Sequence, residues 1–335
     1  MSNTTYCPVS RTLGRRPEQL LPAIPYLLGY HPTDSLVCLF FDSASGMRLS
    51  SRVDWDTTRL AVDDVADTLA QRAHNCDAVS VLLAAVDPRA ADWGAITRLC
   101  IAFLDRGLTI DWAGECVGTS WRGLECTDHC EPHVLDTYCA TVAELVADGI
   151  APADDREAVV AELAPAADAL PDLSLAPVPP TDASAADLEN WRDCAIEQCM
   201  VILAAESPLT GADVAALVAG MGDIRVRDVV LWRITVGERV GEIGDRRTWA
   251  VVSECVRRAP QDAVAPVAAV AALVAWQMGE GTRAMAALHR AWAADPDHSL
   301  ATLVHRCVDT AAPASMWWQV MAGLDEYTCR YGHGQ

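Results

Sequence analysis

Hydrophobic positions along this chain follow two regimes. In the first 120 residues, short unbroken apolar runs alternate with stretches of helical spacing. Leu36–Phe41 and Ala78–Val86 are runs of strand length with no polar face, which is the pattern of central strands buried on both sides. Met47–Trp55 alternates, with Leu49 and Val53 opposite Arg48 and Arg52, as an antiparallel neighbour would. Leu108–Gly118 reads as a further strand. Pro17–Leu28, Thr58–His74 and Ala90–Leu104 read as helices, with Gly29 and Pro32 ending the first. Strands and helices in alternation predict an α/β domain with a mixed, partly parallel sheet and flanking helices.

Past Trp121 the pattern changes. Trp121–Pro132 is short, polar and Cys-rich, and Thr137–Asp148 and Asp154–Leu163 are helical. Five prolines then fall within Ala164–Pro180, a composition that predicts an extended linker without core packing. From Ala183 onward helical spacing dominates: about Asp187–Ala205, Gly211–Ala219, Arg227–Val236, Asp245–Arg258, Val264–Gln277, Gly281–Ala294, Ser299–Thr310 and Ala314–Leu324. The expected domains are therefore an α/β domain over 1–165, a Pro-rich linker over 166–184 and an all-helical domain over 185–335.

Composition narrows the possible partners. The chain has 335 residues, half of them hydrophobic, and a formal net charge of -21. An acidic protein of this kind is a poor match for nucleic acid or anionic lipid, so neither is expected as a partner. All 25 basic residues are Arg, which points to a high-GC genome. The Ala-rich run Val264–Gly279 suits a soluble core helix better than a membrane span. The start, Met1–Tyr6, lacks the basic and apolar blocks of a signal peptide, so a cytoplasmic location is expected. In that compartment the 13 cysteines read as free thiols, with Cys38, Cys100, Cys194, Cys199, Cys255 and Cys307 in apolar core runs.

Three clusters are candidates for chemistry. His31, Asp34 and Ser35 stand together at a strand start. They invite a nucleophile reading or a small-ligand pocket, and equally an ordinary turn. Cys116, Cys126, His129, Cys130, His133 and Cys139 fall close together. Cys126, Cys130, His129 and His133 are the metal candidates, for which zinc is the possible ion. A reversible Cys126–Cys130 disulfide and a plain Cys-rich loop are the other readings. Arg225, Arg227 and Asp228 open a helix, where an internal ion pair and anion binding both fit; Arg227 and Asp228 are taken as ligand candidates. The adjacent Trp317 and Trp318 cannot both face one core, which marks them as interface candidates. Gly-x-Gly-x-x-Gly, a Walker motif, His-Glu-x-x-His and Gly-x-Ser-x-Gly are all absent from the sequence. No catalytic residue is assigned, and the balance leans away from an enzyme.

Several segments carry a family resemblance. Leu20–Leu39, Trp121 with Cys126–Pro132, Asp155–Glu157 with Leu163–Pro165, Ile224–Asp228, Ala275–Ala301 and Ala312-Pro313 with Trp317 resemble the actinobacterial domain-of-unknown-function family numbered 4192. The resemblance implies no activity and no catalytic residues. The Cys-rich piece departs from it, with Cys130-Glu131-Pro132 where the family often has two adjacent Cys. Gly279, Ala284, Leu288, Ala291 and Pro296 resemble, weakly, the second helix of a tetratricopeptide-type hairpin. The leading expectation is a binding or scaffold protein whose helical domain engages a protein partner. The alternatives are a sensor or enzyme at the His31–Ser35 turn and a zinc- or thiol-dependent switch at Cys126 and Cys130.

Overall fold

The computed structural model describes residues 3–6, 16–126, 131–179, 182–206 and 208–332. In chain order the first elements are β1 (Asn3–Tyr6), α1 (Pro17–Leu20), α2 (Ile24–Leu28), β2 (Ser35–Phe41), β3 (Met47–Asp54), α3 (Trp55–Leu60) and α4 (Val62–Asn75). There follow β4 (Ser80–Val86), α5 (Trp93–Asp105), β5 (Thr109–Val117), β6 (Ser120–Gly123), β7 (His133–Val134), α6 (Ala140–Ala147) and α7 (Arg156–Ala161). The strands form one sheet in the order β1-β3-β2-β4-β5-β6-β7, in which β4 and β5 are parallel and every other neighbouring pair is antiparallel.

The unbroken apolar runs are explained by two cores, one on each face of the sheet. Leu36, Cys38, Phe40, Val81, Leu83 and Ala85 point to a core shared with Leu69 of α4 and Leu99 and Phe103 of α5. Their neighbours Val37, Leu39, Phe41, Leu82 and Ala84 point to the opposite core, with Leu20, Ile24, Trp112 and Trp121. All seven residues of β2 are buried, as a strand with no solvent face requires.

Local chemistry shifts several boundaries. The helix expected over Pro17–Leu28 is two short helices, because Pro22 and Pro25 withhold backbone donors; Gly29 then ends the second in the left-handed conformation at φ 81°. The helix expected over Thr58–His74 breaks at Ala61, whose φ of -137° and ψ of 52° are not helical. The Cys-rich piece overlaps β6 and is followed by β7, strands too short to show periodicity.

The remaining helices are α8 (Ala185–Leu203), α9 (Gly211–Gly222), α10 (Ile224–Thr235), α11 (Arg246–Arg258), α12 (Val264–Gln277), α13 (Gly281–Trp292), α14 (Ser299–Asp309), α15 (Ser315–Ala322) and α16 (Glu326–Tyr331). Capping boxes at Ser184 with Asp187 and at Thr210 with Asp213 start α8 and α9. The chain divides into two compact units: one of residues 1–159, 279–282 and 307–313, the other of 160–278, 283–306 and 314–335. In the sheet unit, the buried Arg72 donates to the carbonyl and carboxylate of Asp309, each at 2.7 Å.

The helical unit includes the Pro-rich segment. Ala166 and Leu170 donate from their backbone N–H groups to the carbonyls of Arg257 and Arg258 at 2.8 Å, and Asp168 pairs with Arg258 at 3.1 Å. Ala176 is buried and Trp191 donates to the Pro177 carbonyl. Prolines there prevent regular structure but leave carbonyls and small side chains free to pack along α11 and α8. Cys194 is exposed on α8, whereas Cys38, Cys100, Cys199, Cys255 and Cys307 are buried as expected. No helix among the described residues is long and apolar enough to cross a membrane.

Candidate functional site

The turn at His31–Ser35 is held by its own bonds. Asp34 adopts φ 46°, a left-handed conformation that a residue with a Cβ keeps only when its surroundings impose it. Its N–H donates to the Asp87 carbonyl, its carbonyl accepts from Trp55, and its carboxylate takes the Arg89 N–H at 3.1 Å and pairs with the Arg89 side chain at 3.3 Å. The Ser35 side chain is fully buried. Its hydroxyl donates to the Thr33 carbonyl at 2.6 Å and accepts from Nε of Arg52 at 2.7 Å. His31 is exposed, and among the described residues it is held through its backbone, donating to the Ala153 carbonyl.

The Cys-rich cluster is described in part. His129 and Cys130 lie outside the described residues. Cys126 Sγ and His133 Nε2 stand 4.0 Å apart, and the His133 ring stacks on Trp121 at 4.3 Å. Cys116 lies in the sheet core, where burial first and the Asp87 charge second push its thiol up to about 12, far from the thiolate a metal needs. Cys139 points its Sγ at the Gln19 carbonyl, 3.8 Å away. Among the described residues no group of three or more His, Cys, Asp or Glu side chains is arranged to hold a metal ion.

The helical unit presents a different site. A groove of about 480 Å³ opens between α10, α14, α15 and α16. It brings together four residues singled out from sequence, Arg225, Arg227, Asp228 and Trp317; Trp318 does not line it. Asp223 starts α10 by accepting from the N–H groups of Arg225 and Val226, which turns Ile224 and Arg225 outward at the mouth. Trp317 of α15 donates from Nε1 to Thr235 Oγ1 at 3.0 Å, while Trp232 donates to the Leu324 carbonyl at 3.1 Å. These two bonds hold α15 and the turn that follows it along α10. Arg233, between Glu197 at 2.6 Å and Glu326 at 2.7 Å, and Arg330, on Asp193 at 2.7 Å, seat α16.

Leu231, Leu300 and Met321 form a buried floor; Ile224 at 56 %, Leu303 at 49 % and Tyr331 at 47 % exposure form an apolar rim. Within it, the Arg227 guanidinium lies 2.8–2.9 Å from Asp228 Oδ1, its side chain only 9 % exposed. His298 precedes α14 and accepts the Ala301 N–H at Nδ1, 3.4 Å away; burial first, then the Arg227 charge, lowers its pKa below 6.5, against a smaller opposing pull from Asp295. Burial, with Asp228, Asp325 and Glu326 nearby, raises the Cys329 thiol to about 11, which keeps it neutral. The arrangement can bury an apolar surface and orient it with an internally neutralised ion pair. Ile224, Leu303, Met321 and Tyr331 had no separate signal in sequence, since each is one apolar residue of an amphipathic helix; the Trp317-Trp318 pair pointed to the neighbourhood.

Fold and groove define a mixed-sheet unit followed by a helical unit that carries an apolar cleft. The chain belongs to the family described as a domain of unknown function, DUF4192, whose model matches residues 17–315. No curated protein and no solved structure matches it.

Proposed function

We propose that this is a binding protein whose helical unit takes an apolar helical segment of a protein partner into the groove between α10, α14, α15 and α16. The observation that carries the reading is the open groove itself, with a buried aliphatic floor and an exposed rim of Ile224, Leu303 and Tyr331. A helix laid into a groove presents anchors at one-turn spacing, and a floor of Leu231, Leu300 and Met321 offers the matching row of contacts. Arg225 at the mouth, 41 % exposed and 4.0 Å from Glu189, gives an otherwise acidic protein one cationic contact for an acidic flank on the partner. The nucleophile reading loses support because the Ser35 hydroxyl is engaged at both ends within the core.

The test uses a displayed library of random helical peptides, panned against the full chain. Enriched peptides should be apolar on one face, and their affinity measured by calorimetry should fall at least tenfold in Leu303→Arg, a change of about 1.4 kcal/mol or more. Ser35→Ala, if folded, should bind as the parent does. Failure to enrich, or peptides that bind Leu303→Arg unchanged, would overturn the reading.

A further inference from the structure

A second surface lies in the sheet unit, along the outer face of α5. Its exposed residues form a stripe: Thr97, Arg98, Ile101, Leu104 and Asp105. Ile101 and Leu104 are each 54 % exposed, and Leu60, at the end of α3, is 86 % exposed. Leu60, Arg98, Ile101 and Asp105 line one shallow groove of about 380 Å³. An apolar patch built from three large aliphatic side chains on one face differs from the singly scattered apolar residues of an ordinary surface.

The charges around the patch say what covers it. Arg98 and Asp105 are seven residues apart, two helical turns or about 10 Å along the axis, with Ile101 between them. Among the described residues neither side chain makes a hydrogen bond or an ion pair. Nearby, Arg59 holds Asp56 at 2.6 Å and Arg106 holds Asp67 at 2.7 Å, while Asp63, on the α4 side of the groove, is a further carboxylate without such a partner among the described residues. A cation and an anion placed symmetrically about an apolar centre make a self-complementary surface. When two such helices run antiparallel across a two-fold axis near Ile101, Arg98 of each copy meets Asp105 of the other, and the aliphatic side chains close on themselves. Isologous contacts of this kind are the commonest route to homodimers.

We infer that the protein self-associates as a two-fold dimer through α5, with the occupant of the Leu60–Ile101–Leu104 patch a second copy of the same chain. The inference is independent of the helical groove. One helix face and its flank make a small interface, which places the dimer among weak, concentration-dependent ones.

Sedimentation velocity on the full chain, across concentrations up to about 200 µM, tests it. The parent should show reversible dimerisation. Arg98→Asp and Asp105→Arg each turn two attractions into two repulsions and should weaken association about tenfold or more. The double variant Arg98→Asp with Asp105→Arg restores both pairs with exchanged signs and should return to within about threefold of the parent. All four side chains concerned are solvent-facing, so thermal melts should coincide, which separates lost association from lost folding. A parent that stays monomeric throughout, a dimer indifferent to the single changes, or a double variant no better than the singles would each overturn the inference.

Discussion

The strand-end turn at His31–Ser35 and the helical groove both set polar side chains among apolar ones, yet they differ in where the polar atoms are directed. In the turn the Ser35 and Asp34 groups are used internally, Ser35 between Thr33 and Arg52 and Asp34 between Asp87, Arg89 and Trp55, and the His31 side chain faces out. Residues adjacent in sequence were brought together to make a tight connection between α2 and β2. In the groove the polar pair neutralises itself, Arg227 on Asp228, and what remains open is apolar surface contributed by residues from Ile224 to Gly332. Proximity in sequence marked a structural device; the accessible site was assembled from separated helices.

The largest expected effect breaks the groove from inside. Asp228→Ala leaves the Arg227 guanidinium with no carboxylate partner in a nearly closed environment. An uncompensated buried charge is costly, and with Asp228 itself 39 % exposed the loss should be about 3 kcal/mol in chemical denaturation. Asp228→Asn, which keeps an acceptor oxygen, should lose clearly less. Because both variants remove the negative charge, equal losses would mean that charge compensation alone holds the pair and that the hydrogen bonds to Oδ1 add little.

The turn should respond next. Ser35→Ala removes the acceptor of Arg52 Nε in a fully buried position, where an orphaned donor of a charged group costs about 2 kcal/mol. Arg52 retains Asp54, so folding should survive. The comparison is sharpened by measuring stability and peptide binding in the same variant: stability falls and binding stays. A binding loss in folded Ser35→Ala protein would move the functional site to the turn.

A smaller effect comes through His298. Its folded pKa is depressed, so the neutral ring is the form the native state prefers, and the unfolded chain takes up the proton first as pH falls. The stability contributed by neutral His298 is therefore complete above about 6.5 and is lost as pH drops through that value toward the lower folded one. Protonation of Nδ1 would also end its acceptance of the Ala301 N–H, a cap whose loss costs about 1 kcal/mol. Urea midpoints at about pH 7.5 and pH 5.5 should separate in the parent by more than in His298→Asn, which keeps a capping acceptor without titrating in that range. Identical separations would exclude His298 as the source.

What could be read from sequence follows from how local each cause is. The seven-residue run of β2, the alternation of β3 and the caps at Ser184 and Thr210 are written in neighbouring residues, and the α/β and helical regions follow from them. Ala61 leaves helical φ and ψ at a single position of an otherwise periodic run, and α16 is a six-residue helix anchored by Arg330 on Asp193, so neither shows as periodicity. By composition the Pro-rich segment reads as a spacer, but its N–H groups at Ala166 and Leu170 find carbonyls at the end of α11, a pairing no composition reveals. The groove was half legible. Arg225, Arg227 and Asp228 stand together in sequence and Trp317 apart from them, while their meeting needs the positions of four helices.

The smallest expected effect separates the two adjacent tryptophans. A helix turns by about 100° per residue, so Trp317 and Trp318 cannot share a face. Trp317 lines the groove and donates to Thr235, whereas Trp318 is 51 % exposed and outside the lining. Trp317→Phe keeps most of the aromatic surface and loses the bond, which should cost about 1 kcal/mol and leave Thr235 its donation to the Leu231 carbonyl at 2.7 Å. Trp318→Ala removes a larger group, yet exposed substitutions away from such contacts stay within about 0.5 kcal/mol, and groove binding should be unaffected. Calorimetry with one enriched peptide and a denaturation curve for each variant decide between them. Should Trp318→Ala lose the peptide while Trp317→Phe retains it, the partner surface would have to be redrawn from the groove to the outer face of α15.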